Sequence, residues 1–284
     1  MKRVLSFIGF FTFLLLLASC TTPDPDSVYD NPEPIVSNGN IAGPRIIVRI
    51  DSNNVTKTLY QSTNPGVLQN VVHFGGKFEE VEFGTSGKVS KIKFNPGAVN
   101  RSTLTMVYNA TGTLTNAVLE EFANNSVQRI WECGLSYNTD NKLSHIEKKL
   151  KNLGTNNFIS YTRISLTYSG ENIVHITSNS APITGNVYTP LDPNNAVHYI
   201  FEGYGTGISP YTTLPKEYLT GVAIPEVLKF ANLSQNSYLK VSRSNGSTGV
   251  PAVLSQYSGF NYDVQNYLIS SSNGAMKVFY KPLQ

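Results

Sequence analysis

Residues 103–117, TLTMVYNATGTLTNA, contain the pattern that decides the fold. From Leu104 to Tyr108 every second residue is large and apolar, which is typical of a strand with one buried face. A short polar segment follows, and Gly112 supplies a residue that adopts positive φ without steric cost. Leu114 then resumes the apolar pattern. The stretch therefore predicts a β-hairpin.

The same hairpin recurs along the chain at a fixed spacing. With the aromatic residue as position zero, the turn residue lies at plus four, and aliphatic residues lie at plus six and plus nine. The copies are Phe83-Gly87-Val89-Ile92, Tyr108-Gly112-Leu114-Ala117 and Tyr137-Asn141-Leu143-Ile146, a copy one residue shorter from Tyr168 to Ile173, and a last copy from Tyr262 to Leu268. Because side chains alternate across a strand, positions plus six and plus nine share a face only if a β-bulge separates them.

These repeats predict an all-β fold for residues 44–284, an antiparallel meander of tandem hairpins that forms one large twisted sheet. A helical or irregular insertion is expected at about 199–236. Within it, Pro225 at a first-turn position and the apolar residues up to Leu233 predict a short helix, and residues 216–219 predict a second one. The helices therefore fall in the C-terminal third.

The N-terminus contains an export signal. Lys2 and Arg3 precede an apolar run that ends in Leu17-Ala18-Ser19-Cys20. This segment resembles the lipobox of bacterial lipoproteins, which implies cleavage after residue 19 and acylation of Cys20, for example with palmitate. An uncleaved transmembrane helix is the alternative, but the run is short and contains polar and glycine residues. Residues 20–43, rich in Pro, Asn and Ser, are predicted to be a flexible tether.

The charge of the chain limits its partners. Only 14% of residues are charged, against about 25% in average domains. The formal net charge of +3 includes Lys2 and Arg3, so about +1 would remain after cleavage. A nucleic-acid partner is therefore not expected, because the basic surface that such a partner requires is missing. The expected partners are the membrane, through the N-terminal lipid, and a glycan or an envelope protein.

The repeat body resembles a family of uncharacterised Bacteroidota lipoproteins with YD-like tandem β-hairpin repeats. The likeness rests on the Tyr-Asn/Asp-x-x-Gly/Asn-x-Leu spacing and on segments such as Ser209-Pro210-Tyr211 and Phe260-Asn261-Tyr262-Asp263. An aspartate follows the aromatic residue only at Asp263, and Gly84, Asn109, Asn138 and Ser169 stand at that position elsewhere. The family offers no catalytic residues to carry over. The absence of an aspartate directly after Cys20 resembles lipoproteins that proceed to the outer membrane, on its periplasmic or its surface face.

The sequence contains no recognisable catalytic or metal-binding motif. The four histidines are scattered, and no cofactor or resident metal is expected. His145 and His175 occupy similar repeat positions, so a two-ligand metal site is the alternative to ordinary strand residues. Cys133 alternates with Trp131 and Leu135, which favours a buried apolar role over that of a nucleophile.

Aromatic residues outside the repeat positions are candidates for ligand binding. The four candidates are Tyr199, Tyr204, Tyr211 and Tyr218. The sequence thus favours a non-enzymatic binding or assembly module of the cell envelope. The alternative is a glycoside hydrolase or another carbohydrate-active enzyme that uses strand-borne carboxylates, with Glu120, Glu121, Glu132 and Glu147 as candidates.

Overall fold

The computed structural model describes Ile41 and residues 43–63 and 66–283. The predicted signal, Cys20 and the tether up to residue 40 lie outside the described residues. The strands are β1 (Arg45–Ser52), β2 (Val55–Ser62), β3 (Leu68–His73), β4 (Lys77–Phe83), β5 (Val89–Phe94), β6 (Arg101–Tyr108), β7 (Leu114–Ala123), β8 (Ser126–Tyr137), β9 (Leu143–Lys151), β10 (Phe158–Ser169), β11 (Asn172–Thr184), β12 (Val187–Tyr188), β13 (Val197–Ile208), β14 (Asn236–Asn245), β15 (Ala252–Gln256), β16 (Phe260–Tyr262), β17 (Leu268–Ser271) and β18 (Met276–Pro282).

The strands form an antiparallel meander, so the predicted fold class is confirmed. Each strand from β1 to β11 pairs with the next one along the chain. The short β12 folds back on β11, and β13 then pairs with β11, followed by β14 and β15. The last three strands pair in succession, and β18 pairs with β1.

The predicted bulge is present in every copy of the repeat. In the second copy Tyr108 pairs with Leu114 while Val107 pairs with Asn116, so Thr115, at plus seven, is the extra residue. The same register shift follows the turns that begin at Phe83, Tyr137, Tyr168 and Tyr262. The extra residue places positions plus six and plus nine on the same face of the sheet. Leu114 and Ala117 are accordingly both buried.

The described residues contain one α-helix and three 3-10 helices, and the α-helix and the two 3-10 helices within residues 210–233 pack against the sheet. The helix α1 (Lys216–Ala223) is buried over its last six residues, and the 3-10 helices span Pro193–Asn195, Pro210–Thr213 and Val227–Leu233. Gly221 packs so tightly on the sheet that an added Cβ would lie 2.3 Å from Met106 Cε and 2.6 Å from Ile92 Cδ1. The segment from Pro210 to Leu233, called here the internal segment, therefore shares one hydrophobic core with the sheet.

The internal segment differs in detail from the sequence-based prediction. The α-helix forms at residues 216–223, whereas the residues after Pro225 form a 3-10 helix. Proline cannot donate the backbone hydrogen bond that would continue α1, and a 3-10 helix covers more distance per residue on the way to β14. The predicted irregular insertion also begins later than residue 199, because β13 continues to Ile208. A register shift between Tyr204 and Ile208 accommodates the glycines of this strand.

Within residues 43–63 and 66–283, no helix combines the length and the apolar character needed to span a bilayer.

Cys133 is free and only 2% exposed, and burial raises the pKa of its thiol to about 12. The predicted burial of this cysteine among apolar residues is therefore confirmed, and its raised pKa disfavours the thiolate that a nucleophile needs.

Candidate functional site

The repeat tyrosines Tyr108, Tyr137 and Tyr168, and also Tyr204 on β13, each connect a hairpin to the preceding one. The hydroxyls of Tyr108, Tyr137, Tyr168 and Tyr204 donate hydrogen bonds to the backbone oxygens of Val89, Leu114, Leu143 and Ile173, in that order. Val89, Leu114 and Leu143 are the first residues of the return strands of the preceding hairpins, and Ile173 is the second residue of β11. Tyr280 makes the same bond to Leu268 in the last repeat. These hydroxyls are therefore used inside the fold and are not free to bind a ligand.

The residue after the repeat tyrosine closes the turn. The side-chain oxygen of Asn138 accepts hydrogen bonds from the backbone nitrogens of Asp140 and Lys142, at 3.1 and 2.9 Å. Asn109 and Asp263 make the equivalent pair of bonds in their own turns. The aspartate or asparagine of the YD-like pattern thus has a structural role here, which is to hold the turn in shape.

Lysines at position plus five join neighbouring turns. Lys88 Nζ donates to the backbone oxygen of Gly112, and Lys142 Nζ donates to that of Gly170 at 2.7 Å. Lys142 also forms an ion pair with Glu171 at 2.8 Å. Since both lysines follow the turn residue at the same spacing, they bring successive turns together along one end of the sheet.

The turn end of the sheet and α1 enclose a cavity of about 390 Å³, called here the turn cavity. Its walls include the rings of Tyr137 and Tyr168 and the charged groups of Lys142, Lys216 and Glu217. Within the described part of the chain Lys216 and Glu217 have no ion-pair partner. Lys88 also lines the cavity and has no ion pair among the described residues, but its ammonium group donates to the Gly112 backbone. The cavity therefore offers the charged groups of Lys216 and Glu217 beside two tyrosines, which suits a polar ligand rich in hydroxyl groups.

The four tyrosines predicted to bind ligand do not share one site. Tyr199 and Tyr204 lie on β13, where both are half-buried against the core. Tyr211 contributes to a smaller cavity of about 80 Å³ beside Tyr238 and Tyr257. Tyr218 is only 3% exposed and lies on α1. Their role in binding stays a prediction, and the turn cavity is formed by other residues.

A buried carboxylate joins the internal segment to β3 and β4. Glu79 is 3% exposed, and one of its oxygens lies 2.9 Å from His73 Nε2 and 3.6 Å from Lys229 Nζ. The other oxygen accepts a hydrogen bond of 2.5 Å from the hydroxyl of Tyr218. This group is called here the Glu79 cluster, and it borders a surface cavity of about 400 Å³.

The partners of Glu79 keep it ionised despite its burial. Burial alone would raise the pKa of this carboxyl group, but the hydrogen bond from His73, the charges of Lys229 and His73 and the hydrogen bond from Tyr218 together lower it. Burial and the nearby Glu79 raise the pKa of Tyr218, so its hydroxyl remains a donor. The cluster is a satisfied ionic network, and Glu79 itself offers no proton at neutral pH.

The histidines pair differently from the sequence-based hypothesis. His175 lies beside His198 on β13, with 3.1 Å between Nε2 of the first and Nδ1 of the second. His145 lies on β9, and β10 separates it from His175. Among the described residues, no group of three or more histidine, cysteine or acidic side chains is arranged to hold a metal ion.

Three of the four carboxylates considered for hydrolysis form ion pairs, whereas Glu120 on β7 forms none among the described residues. The pairs are Glu121 with Arg129 at 3.5 Å, Glu132 with Lys151 at 3.1 Å, and Glu147 with Lys149 at 3.1 Å and Arg163 at 3.2 Å. Burial would raise the pKa of Glu147, but the hydrogen bonds and charges of Lys149 and Arg163 lower it. Glu147 therefore lacks the raised pKa of a glycosidase general acid.

Sequence reasoning missed Glu79, Lys216 and Glu217 as site residues. The plus-five lysines could have been found, since Lys88 and Lys142 share one place in the repeat. Glu79 carries no such signal, because its partner Tyr218 lies 139 residues away along the chain.

Comparisons with known proteins add little to this description. No family model matches the chain, and no curated protein matches it. Among solved structures, the chain is similar to a porin-like protein from Bacteroides vulgatus ATCC 8482, with a TM-score of 0.46 and 6% sequence identity over 84% of this chain and 97% of that chain. A likeness at this level carries no argument about function.

Proposed function

We propose that this chain is a lipid-anchored protein of the cell envelope that acts as a non-enzymatic binding module, with the turn cavity as its binding site. The anchor rests on the order of Lys2, Arg3, the apolar run and Leu17-Ala18-Ser19-Cys20. Two or three acyl chains would hold the protein stably on a membrane, since each buried methylene contributes about 0.8 kcal/mol.

The observation that carries the binding role is the unpaired state of Lys216 and Glu217 in the turn cavity. A free ammonium group and a free carboxylate can donate to and accept from the same hydroxyl-rich molecule. The half-buried rings of Tyr137 and Tyr168 supply an apolar edge of the kind on which a sugar ring packs. The ligand class that fits is a glycan segment with little or no net charge.

Glycan-array binding of the acylated protein, solubilised in detergent, tests this site. We expect Lys216→Ala and Glu217→Gln each to weaken the retained glycan at least tenfold. Lys277→Ala is the matched control, because it removes an exposed lysine on β18 and should leave binding unchanged. Binding that is equally strong in all three variants, or no retained glycan at all, would contradict the proposal.

Mass spectrometry and membrane fractionation test the anchor separately. We expect the mature chain to begin at Cys20, with acyl groups on that residue, and to sediment with outer membranes. An unmodified Cys20 in a soluble fraction would overturn the lipid anchor and leave the turn cavity untouched.

A further inference from the structure

Two histidines meet edge to edge on the sheet. The Nε2 atom of His175 lies 3.1 Å from the Nδ1 atom of His198. The ring planes differ by 15°, and the ring centroids are 5.2 Å apart. With the facing nitrogens so much closer than the centroids, the rings meet through their edges and share an N–H···N hydrogen bond.

The pairing of β11 with β13 creates this arrangement. His175 is opposite Ile200, and His198 is opposite Thr177, so the histidines are diagonal neighbours on adjacent strands. The residue between His175 and Thr177 is the fully buried Ile176, which points into the core. Both histidines therefore lie on the other face of the sheet, where they are half-buried and open to ions from solvent.

We propose that His175 and His198 together chelate a divalent transition-metal ion. Metal–imidazole bonds are about 2.0–2.1 Å long, so two nitrogens on one ion at a bond angle near 90–100° lie about 3 Å apart. The observed separation of 3.1 Å matches that distance. Each ring must turn by about 40° so that both nitrogen lone pairs point at the same ion. Imidazole nitrogen is a preferred ligand of copper, nickel and zinc, and Cu²⁺ is expected to bind most tightly.

A metal ion can replace the proton that lies between the two rings. One proton occupies the N–H···N bond. When the ion takes its place, that proton is lost to solvent and the same ring is protonated at its remote nitrogen instead, so no net proton is gained or lost by the pair.

The rest of the coordination shell would come from water. Thr177 Oγ1 lies 3.4 Å from His198 Nδ1 and can hydrogen-bond to a bound water. With two protein ligands the site would hold an exchangeable ion rather than a structural one. This inference does not depend on the turn cavity or on the lipid anchor.

Electron paramagnetic resonance of the acylated, tag-free protein with Cu²⁺ tests the site directly. We expect the wild-type spectrum to show coupling to two nitrogens, and His175→Gln and His198→Gln each to show coupling to one. The affinity for Cu²⁺ should fall at least tenfold in each variant. His145→Gln is the matched control, because His145 lies on the same outward face but outside the pair, and it should behave as wild type.

Two results would overturn the proposal. One is a two-nitrogen spectrum that persists in the double variant His175→Gln/His198→Gln, since the ion would then bind elsewhere. The other is an equal Cu²⁺ affinity of all variants and the wild type. Because both histidines are half-exposed, the circular dichroism spectra of the variants should match that of the wild type.

Discussion

The hydroxyl of Tyr137 donates a 2.7 Å hydrogen bond to the backbone oxygen of Leu114, the first residue of the return strand in the preceding hairpin. The repeat therefore does more than place an aromatic residue in the core. The copies at Tyr108, Tyr137 and Tyr168 each satisfy a backbone acceptor of the preceding hairpin where the bulge interrupts the regular ladder. An interaction of this kind couples neighbouring hairpins in addition to their strand pairing.

Removing this hydroxyl should lower the free energy of unfolding. We expect Tyr137→Phe to destabilise the protein by about 1 kcal/mol, because the oxygen of Leu114 loses its partner. Tyr262→Phe is the matched control at the same repeat position. The Tyr262 hydroxyl is buried with no hydrogen-bond partner among the described residues, so its removal should be neutral or stabilising. Urea unfolding that ranks the two variants in the opposite order would contradict this role.

The turn asparagines should contribute through their acceptor oxygens. Asn138→Ala removes two hydrogen bonds to backbone nitrogens, and we expect a loss of about 1 kcal/mol in the free energy of unfolding. Asn138→Asp should preserve most of the stability, because Asp263 makes the same pair of bonds in the last repeat. Thermal unfolding of both variants checks this. An aspartate variant as unstable as the alanine variant would show that the oxygen is not the important group.

The repeat explains why so much of the sheet was predictable from sequence and the internal segment was not. Each strand, turn and bulge depends on residues within about ten positions of one another, such as Tyr108 and Ala117. The spacing of residues along the sequence is therefore enough to predict them. The position of α1 depends on contacts with distant strands, as the fit of Gly221 against Met106 shows. Likewise, the pair of His175 and His198 forms only because β12 turns back and leaves β13 beside β11. Local periodicity contains no information about such contacts.

The fit of Gly221 gives a test of this packing. In an exposed helix, Gly→Ala is stabilising by up to about 1 kcal/mol. Here the added Cβ would overlap side-chain atoms of Met106 and Ile92, so we expect Gly221→Ala to destabilise the protein by about 1–3 kcal/mol. Gly134→Ala on β8 is the matched control, because a Cβ there meets no atom within 4 Å. Chemical denaturation that finds Gly221→Ala stabilising would mean that α1 is packed less closely than described.

The Glu79 cluster predicts a specific loss of stability in acid. The folded-state pKa of Glu79 is lowered from its ordinary value of 4.5, so the unfolded chain takes up a proton first as the pH falls. The stabilisation is thus fully present above about pH 4.5 and is lost as the pH falls through the lowered folded-state pKa. Glu79→Gln cannot titrate, and at pH 7 it should cost about 2 kcal/mol, the usual size for hydrogen bonds to a charged group.

The measurement is the free energy of unfolding of wild type and Glu79→Gln from pH 7 down to about pH 3. We expect the difference between them to shrink steadily below about pH 4.5, because protonated Glu79 and glutamine both lack the charge that His73 and Lys229 face. Glu80→Gln serves as the control, since Glu80 lies on the opposite face of β4 in a partly exposed ion pair with Lys93. Its difference from wild type should be small at every pH. A constant difference for Glu79→Gln across this range would mean that Glu79 acts by its shape alone and not by its charge.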